Sequence, residues 1–159
     1  MLFDLRHFPC FACCFTSTRC FNNLAGNNLR IRWALEKELA EFLGNDFFNR
    51  RLAFKDDAVT WGVPDYWASP LESLEKRAGD CEDYAIAKYF SLAATGVPTA
   101  KLRMVYVRAR LAGQSLAHMV LAYYPTPDAD PLILDNLIND IRPASQRTDL
   151  EPVYSFNDD

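Results

Sequence analysis

Three side chains of this chain, Cys81, His118 and Asp135, are of the types and in the order that thiol chemistry can use. Cys81 sits in Gly79-Asp80-Cys81-Glu82-Asp83-Tyr84-Ala85-Ile86-Ala87-Lys88-Tyr89-Phe90. Asp80 suits a helix N-cap, and Asp83 suits the returning bond of a capping box. Ala85, Ile86, Tyr89, Phe90 and Ala93 then recur at helical spacing, and Gly96 before Val97-Pro98 supplies a stop. The spacing predicts a helix from about residue 81 to about residue 95, with a thiol in its first turn. Unpaired backbone N–H groups and the helix dipole favour thiolate there. The competing reading is a small residue that only packs.

His118 lies within the apolar run Ala117–Tyr124, and Asp135 ends the run Leu132–Leu134; both runs read as strands. Suppose they form an antiparallel hairpin with His118 opposite Asp135. The midpoint then falls between Thr126 and Pro127, inside the loop Pro125–Pro131. Directly opposed residues have Cβ atoms about 4.5–5.5 Å apart, so the carboxylate could orient the imidazole. A helix packed on that sheet would bring the thiol to the other ring nitrogen, giving nucleophile, base and orienter. Singly, a histidine in an apolar strand is commonly structural and an aspartate at a strand end commonly forms a turn. The joint pattern carries the reading.

Asp80, Glu82 and Asp83 complicate it, because nearby carboxylates disfavour thiolate. The helix dipole supplies only about 0.3–1 kcal/mol at exposed sites. A hard cation such as calcium, which takes about six to eight oxygen ligands, would offset them. The alternative is helix capping with solvated charge.

The elements that must position these groups follow from the rest of the chain. Its 159 residues suit one core. A net charge of −4 gives no general attraction to nucleic acid or an anionic membrane. No run approaches the roughly 18 apolar residues of a membrane span. Residues 1–28, with Cys10, Cys13, Cys14 and Cys20, read as an atypical leader or a poorly ordered segment. Zinc binding and disulfide pairing are alternatives, although these cysteines lack two cleanly spaced pairs. Phe8–Phe15 is apolar and flanked by Arg6 and Arg19, but contains Pro9 and has no small-residue cleavage site close behind it. Residues 29–159 read as one domain.

Within that domain, Ile31, Leu35, Leu39, Phe42 and Leu43 mark an amphipathic helix over 29–43, ended by Gly44-Asn45. Residues 56–67 form an acidic, aromatic loop expected to pack down. Ser69-Pro70 opens a short helix. Residues 102–108, 117–124, 132–136 and 153–156 read as strands, with a turn at Gly113-Gln114-Ser115. Helices first and antiparallel strands after give an α+β class.

Four blocks, Trp61-Gly62-Val63-Pro64-Asp65-Tyr66-Trp67, Gly79–Phe90, Ala117-His118-Met119-Val120-Leu121 and Leu134-Asp135-Asn136, resemble the LapG family in the same order. These are bacterial transglutaminase-like cysteine proteases of the periplasm, and the resemblance runs from about Leu35 to Phe156. It implies a papain/transglutaminase-like core, with N-terminal helices and the nucleophile helix packed on an antiparallel sheet. It implies Cys81 as nucleophile, His118 as general base and Asp135 as orienter. It also implies calcium dependence, with Asp80 and Glu82 as ligands and Asp83 as a further candidate.

The implied substrate is the N-terminal region of a large surface adhesin, cut at a paired-alanine site so that the adhesin is released and biofilm disperses. The implied partner is an inner-membrane cyclic di-GMP receptor of the LapD type, which sequesters the protease. Trp61 is the candidate contact for it, with simple packing as the alternative. Relatives carry a signal peptide and an N-terminal helical segment that residues 1–28 do not resemble, and they are expected to continue past Asp159. Two other functions stay open: acyl transfer to an amine by the same triad, and a binder that does not cut.

Overall fold

The computed structural model describes Glu38 and residues 44–157. The cysteine-rich residues 1–28 lie outside the described residues, as does the helix expected over 29–43 apart from Glu38. Along the described chain come α1 (Phe47–Arg51), β1 (Ala53–Phe54), α2 (Asp57–Thr60), α3 (Pro70–Lys76), β2 (Ala78–Gly79) and α4 (Cys81–Ala94). The strands β3 (Leu102–Leu111), β4 (Gln114–Tyr123), β5 (Leu132–Leu134), β6 (Arg142–Pro143) and β7 (Leu150–Phe156) follow. β1 and β2 form a small parallel pair, and the other five strands form an antiparallel sheet in the order β6-β5-β4-β3-β7. The class is α+β, as the order of patterns predicts.

β4 occupies the middle of the large sheet and is buried on both faces, which explains its unbroken apolar run. On one face Leu121 and Tyr123 pack with Tyr89 and Leu92 of α4 and with Val97, Leu102 and Leu134. On the other, Val120 and Ala122 pack with Val107 and Ile133. α4 is also covered by α1, where Phe48 and Leu52 meet Tyr84 and Ala87. Two coverings bury most of the helix, including Ala85, Ile86 and Tyr89 of the expected face. Phe90 differs: it is 55% exposed, because neither neighbour reaches its side of the helix.

Several local expectations are corrected. Gly44-Asn45 is not a stop, since residues 44–46 form a wide π-type turn that runs straight into α1. Gly44 is there for close approach, because a Cβ at that position would lie 2.6 Å from Leu134 Cδ2. Asn45 is buried and works as a connector, donating to the Asn139 carbonyl at 2.6 Å and accepting from Lys88 Nζ at 2.8 Å. The β3–β4 turn is the two residues Ala112-Gly113, both at positive φ, so Gln114 and Ser115 already belong to β4. β7 starts three residues earlier than expected; as an edge strand it accommodates Pro152, and the pairing skips Val153 as a bulge.

The short helix before Cys81 is defined by a full capping box. Ser69 Oγ accepts from the Glu72 N–H, and Glu72 Oε2 accepts from the Ser69 N–H at 2.8 Å. Ser69→Ala is expected to cost about 1 kcal/mol, read as a lower urea midpoint at unchanged m-value.

Candidate active site

Cys81 is the first residue of α4, and it is placed there by a tight entry. β2 runs flush over the first turn of the helix: a Cβ on Gly79 would lie 2.7 Å from the Cβ of Asp83. Asp80 stands at the N-cap, but its side chain makes no cap hydrogen bond. The Cys81 thiol is half-buried and donates to Glu82 Oε2 at 3.0 Å. Burial pushes the thiol up from its ordinary value, and the Glu82 carboxylate adds to the rise. The backbone N–H of Met119 faces the sulfur and works in the opposite direction. β5 pairs only with residues 121–123 of β4. The N–H of Met119 is therefore left for the sulfur, which sits one residue along β4 from His118.

His118 is buried, and its Nε2 lies 2.8 Å from Asp135 Oδ1. The pairing is not the direct one that the simple hairpin suggests. β4 and β5 register as Leu121 with Leu134 and Tyr123 with Leu132, two residues away from that register. Asp135 stands one residue past β5 and level with Val120. A shift of two keeps both side chains on the same face, and a diagonal neighbour remains within reach of a long ring. Asp135 is held by more than the imidazole. The Leu137 N–H donates to Oδ1 at 3.0 Å, and the buried Arg147 donates to Oδ2 at 2.6 Å. Despite burial, these donors hold the carboxyl down at about 2, so it is ionised. With Nε2 engaged, Nδ1 is the ring nitrogen that Asp135 does not hold.

Beside the thiol, oxygens of Asp57, Asp80 and Glu82 all lie within 4.8 Å of one another. Asp57 Oδ1 and Asp80 Oδ1 are buried with no hydrogen-bond partner. Burial, then Glu82, pushes Asp80 up to about 8, and burial also raises Asp57. Orphaned oxygens on crowded, desolvated carboxylates are a donor set that suits a hard divalent cation. Asp83 is oriented differently. It is fully buried and its Oδ1 accepts the Ala68 N–H at 2.8 Å, so it ties the loop before α3 to α4. Asp57 was not singled out in the sequence, where it reads as one more acid of the loop over 56–67. In the fold its other oxygen takes the Tyr66 N–H, which pins that loop down.

The match to known proteins follows this geometry. Residues 11–153 match the family of bacterial transglutaminase-like cysteine proteinases. The chain belongs to this family. Calcium-bound LapG from Legionella pneumophila is 40% identical, with a TM-score of 0.68 over 89% of this chain and 84% of that one. LapG of the same organism treated with EGTA is 41% identical, with a TM-score of 0.67 over 89% of this chain and 82% of that one. The fold is thus that of a transglutaminase-like cysteine protease. A comparison with curated proteins gives no significant match. Among the described residues, no helix is long and apolar enough to cross a membrane.

Trp61, the tryptophan singled out for partner binding, is half-buried in this family member. Its ring lies 4.6 Å from that of Tyr66, and Lys76 Nζ sits 5.1 Å above it. Trp67 is the more exposed of the two, stacked at 6.0 Å on Phe156.

The acid cluster gives the calcium-free protein a particular pH response. Asp83 is pushed up to about 6 by burial, and Asp80 to about 8. Folded values above the unfolded one mean that the folded chain holds protons the unfolded chain has released. This stabilisation is complete below about pH 4 and is lost as pH rises through 6 and 8. Burial lowers Lys88 to about 7, so Lys88 is charged in both states below that pH and adds no slope there. Asp135, held at about 2, contributes only at lower pH. Calcium-stripped protein should therefore lose several kcal/mol of stability between about pH 4.5 and pH 7, read as a falling urea midpoint.

Proposed function

We propose that this protein is a calcium-dependent cysteine endopeptidase that cuts the N-terminal region of a large surface adhesin at a paired-alanine site in the periplasm. Cutting releases the adhesin and disperses biofilm. The observation that carries the reading is the convergence at β4. The sulfur of a helix-opening cysteine meets the backbone of Met119, the chain neighbour of His118, and the Nε2 of His118 is held by the ionised Asp135.

The chemistry follows from what each residue can do. His118 Nδ1 takes the thiol proton as the Cys81 sulfur attacks the scissile carbonyl. Asp135 stabilises the imidazolium that forms and keeps the ring in place. The imidazolium then gives its proton to the leaving amine, leaving an acyl-thioester on Cys81. Water deprotonated by His118 attacks that thioester, and the proton returns to the sulfur as the carboxylic acid leaves. The backbone N–H of Cys81 is a candidate donor to the oxyanion.

The thiol is aimed at Glu82 rather than at the imidazole, so Glu82 has to be drawn away or neutralised for attack. Asp57, Asp80 and Glu82 would hold calcium, with Asp83 close by as a further acid. When bound, calcium supplies positive charge that offsets the carboxylates around the sulfur. The similar LapG of Legionella pneumophila, known in calcium-bound and EGTA-treated forms, supports calcium as the ion. The proposed regulator is an inner-membrane cyclic di-GMP receptor of the LapD type, with Trp61 as its contact.

Incubation with an adhesin N-terminal fragment in calcium, followed by mass spectrometry, tests the reading. Two fragments whose masses sum to the substrate plus one water support an endopeptidase. Isopeptide cross-links with loss of ammonia would instead assign acyl transfer to an amine.

A further inference from the structure

We propose that Arg147 is a positioning residue for the reaction: it locks the Asp135 carboxylate so that His118 stays in the one tautomer able to accept the thiol proton. The proposal rests on the reading of Cys81, His118 and Asp135 given above, and it names a fourth residue on which that reading depends.

Asp135 lies past the end of β5, where no strand partner fixes it. Its main-chain carbonyl is held by Asn49 Nδ2 at 2.8 Å, but its side chain is oriented only by the donors it meets. Oδ1 receives His118 Nε2 and the Leu137 N–H. Oδ2 receives Arg147 Nη2 at 2.6 Å. With each oxygen bound to a different donor, the carboxylate cannot turn about its Cβ–Cγ bond, and Oδ1 stays aligned with the ring nitrogen. The proton of neutral His118 is then kept on Nε2, and the Nδ1 lone pair is free.

Arg147 is itself anchored. Asp149 grips it through Nε at 2.9 Å and through Nη2 at 2.8 Å. The turn Ala144–Gln146 sets its backbone, with the Arg147 N–H donating to the Ala144 carbonyl at 2.9 Å. The other cation facing Asp135, Lys88 from α4, gives its hydrogen bond to Asn45. It does not orient the carboxylate.

Stability alone is a poor reason for this arginine. It is 3% exposed, and its Nη1 is buried with no partner. A buried guanidinium left partly unsatisfied costs free energy, and buried ion pairs are weak contributors to net stability. Its geometry is instead that of a group that aims a carboxylate.

The test uses the full chain in calcium, comparing wild type, Arg147→Met, Arg147→Lys and Asp149→Asn. The sequence has only two histidines, His7 and His118, so nitrogen NMR of labelled imidazoles reads His118 directly. In wild type, neutral His118 is expected in the Nε2–H form. Arg147→Met should show mixed tautomers and a kcat on the adhesin fragment lowered by about 10–100-fold, with KM unchanged. Arg147→Lys should restore the Nε2–H form and part of kcat. A folded Arg147→Met with the wild-type tautomer and kcat overturns the proposal. If that variant does not fold, Asp149→Asn, which loosens the arginine from its far side, decides by the same readings: mixed tautomers support the proposal and wild-type behaviour overturns it. If wild type leaves the fragment uncut, the protease reading fails, while the His118 tautomer still decides what Arg147 does.

Discussion

Cys81→Ser is expected to lower kcat on an adhesin fragment by about six orders of magnitude, to the limit of detection, with folding intact. The sulfur sits at the mouth of α4, where it donates to its own neighbour Glu82 and its one tie to the sheet is the Met119 N–H, which a hydroxyl can also meet. A hydroxyl keeps the shape and loses the nucleophile, because an alcohol beside several carboxylates is far harder to deprotonate than a thiol. Asp135→Asn should cost about four orders of magnitude, since an amide favours the wrong imidazole tautomer. Melting curves separate loss of chemistry from loss of fold. A binder that never cuts would keep its whole biological effect in the Cys81→Ser protein.

Removal of calcium is expected to abolish cleavage and to lower the melting temperature, and added calcium should restore both. Asp57, Asp80 and Glu82 crowd their oxygens within 4.8 Å, and two of those carboxylates carry a buried, unpartnered oxygen. An ion bound only by the folded chain adds about 2.7 kcal/mol when its concentration is a hundred times Kd. For a domain of this size that corresponds to roughly 5–10 °C. Asp57→Asn and Glu82→Gln should each remove most of the calcium-dependent rise in melting temperature. Full activity in excess EGTA would take the metal out of the account.

Much of this was legible in the sequence, for reasons that differ from residue to residue. The helix over 81–94 announced itself by periodicity and the central strand carrying His118 by an unbroken apolar run, because each pattern records how an element is buried. The meeting of His118 with Asp135 was legible as a shared sheet face, but not as a register: a slip of two residues preserves the face and leaves no trace in the alternation. Asp80 shows the limit of local rules, since it takes the N-cap position yet turns its carboxylate toward Asp57 and Glu82. Asp57 and Arg147 join the site across 24 and 12 residues of chain from Cys81 and Asp135 respectively. Nothing in their neighbourhoods marks them, because a contact between a loop acid or a turn arginine and a distant side chain has no period. Gly44-Asn45 misled for the opposite reason: the pair resembles a helix end but serves close packing against Leu134 and a bond to Lys88.

The most direct test is to quench the calcium-loaded enzyme in acid during turnover of an adhesin peptide and map its covalent adducts by mass spectrometry. The account predicts the amino-terminal part of the peptide in thioester linkage to Cys81, released by hydroxylamine and absent in Cys81→Ser. Cleavage that proceeds at the wild-type rate in Cys81→Ser, with no adduct on the wild-type thiol, would contradict it.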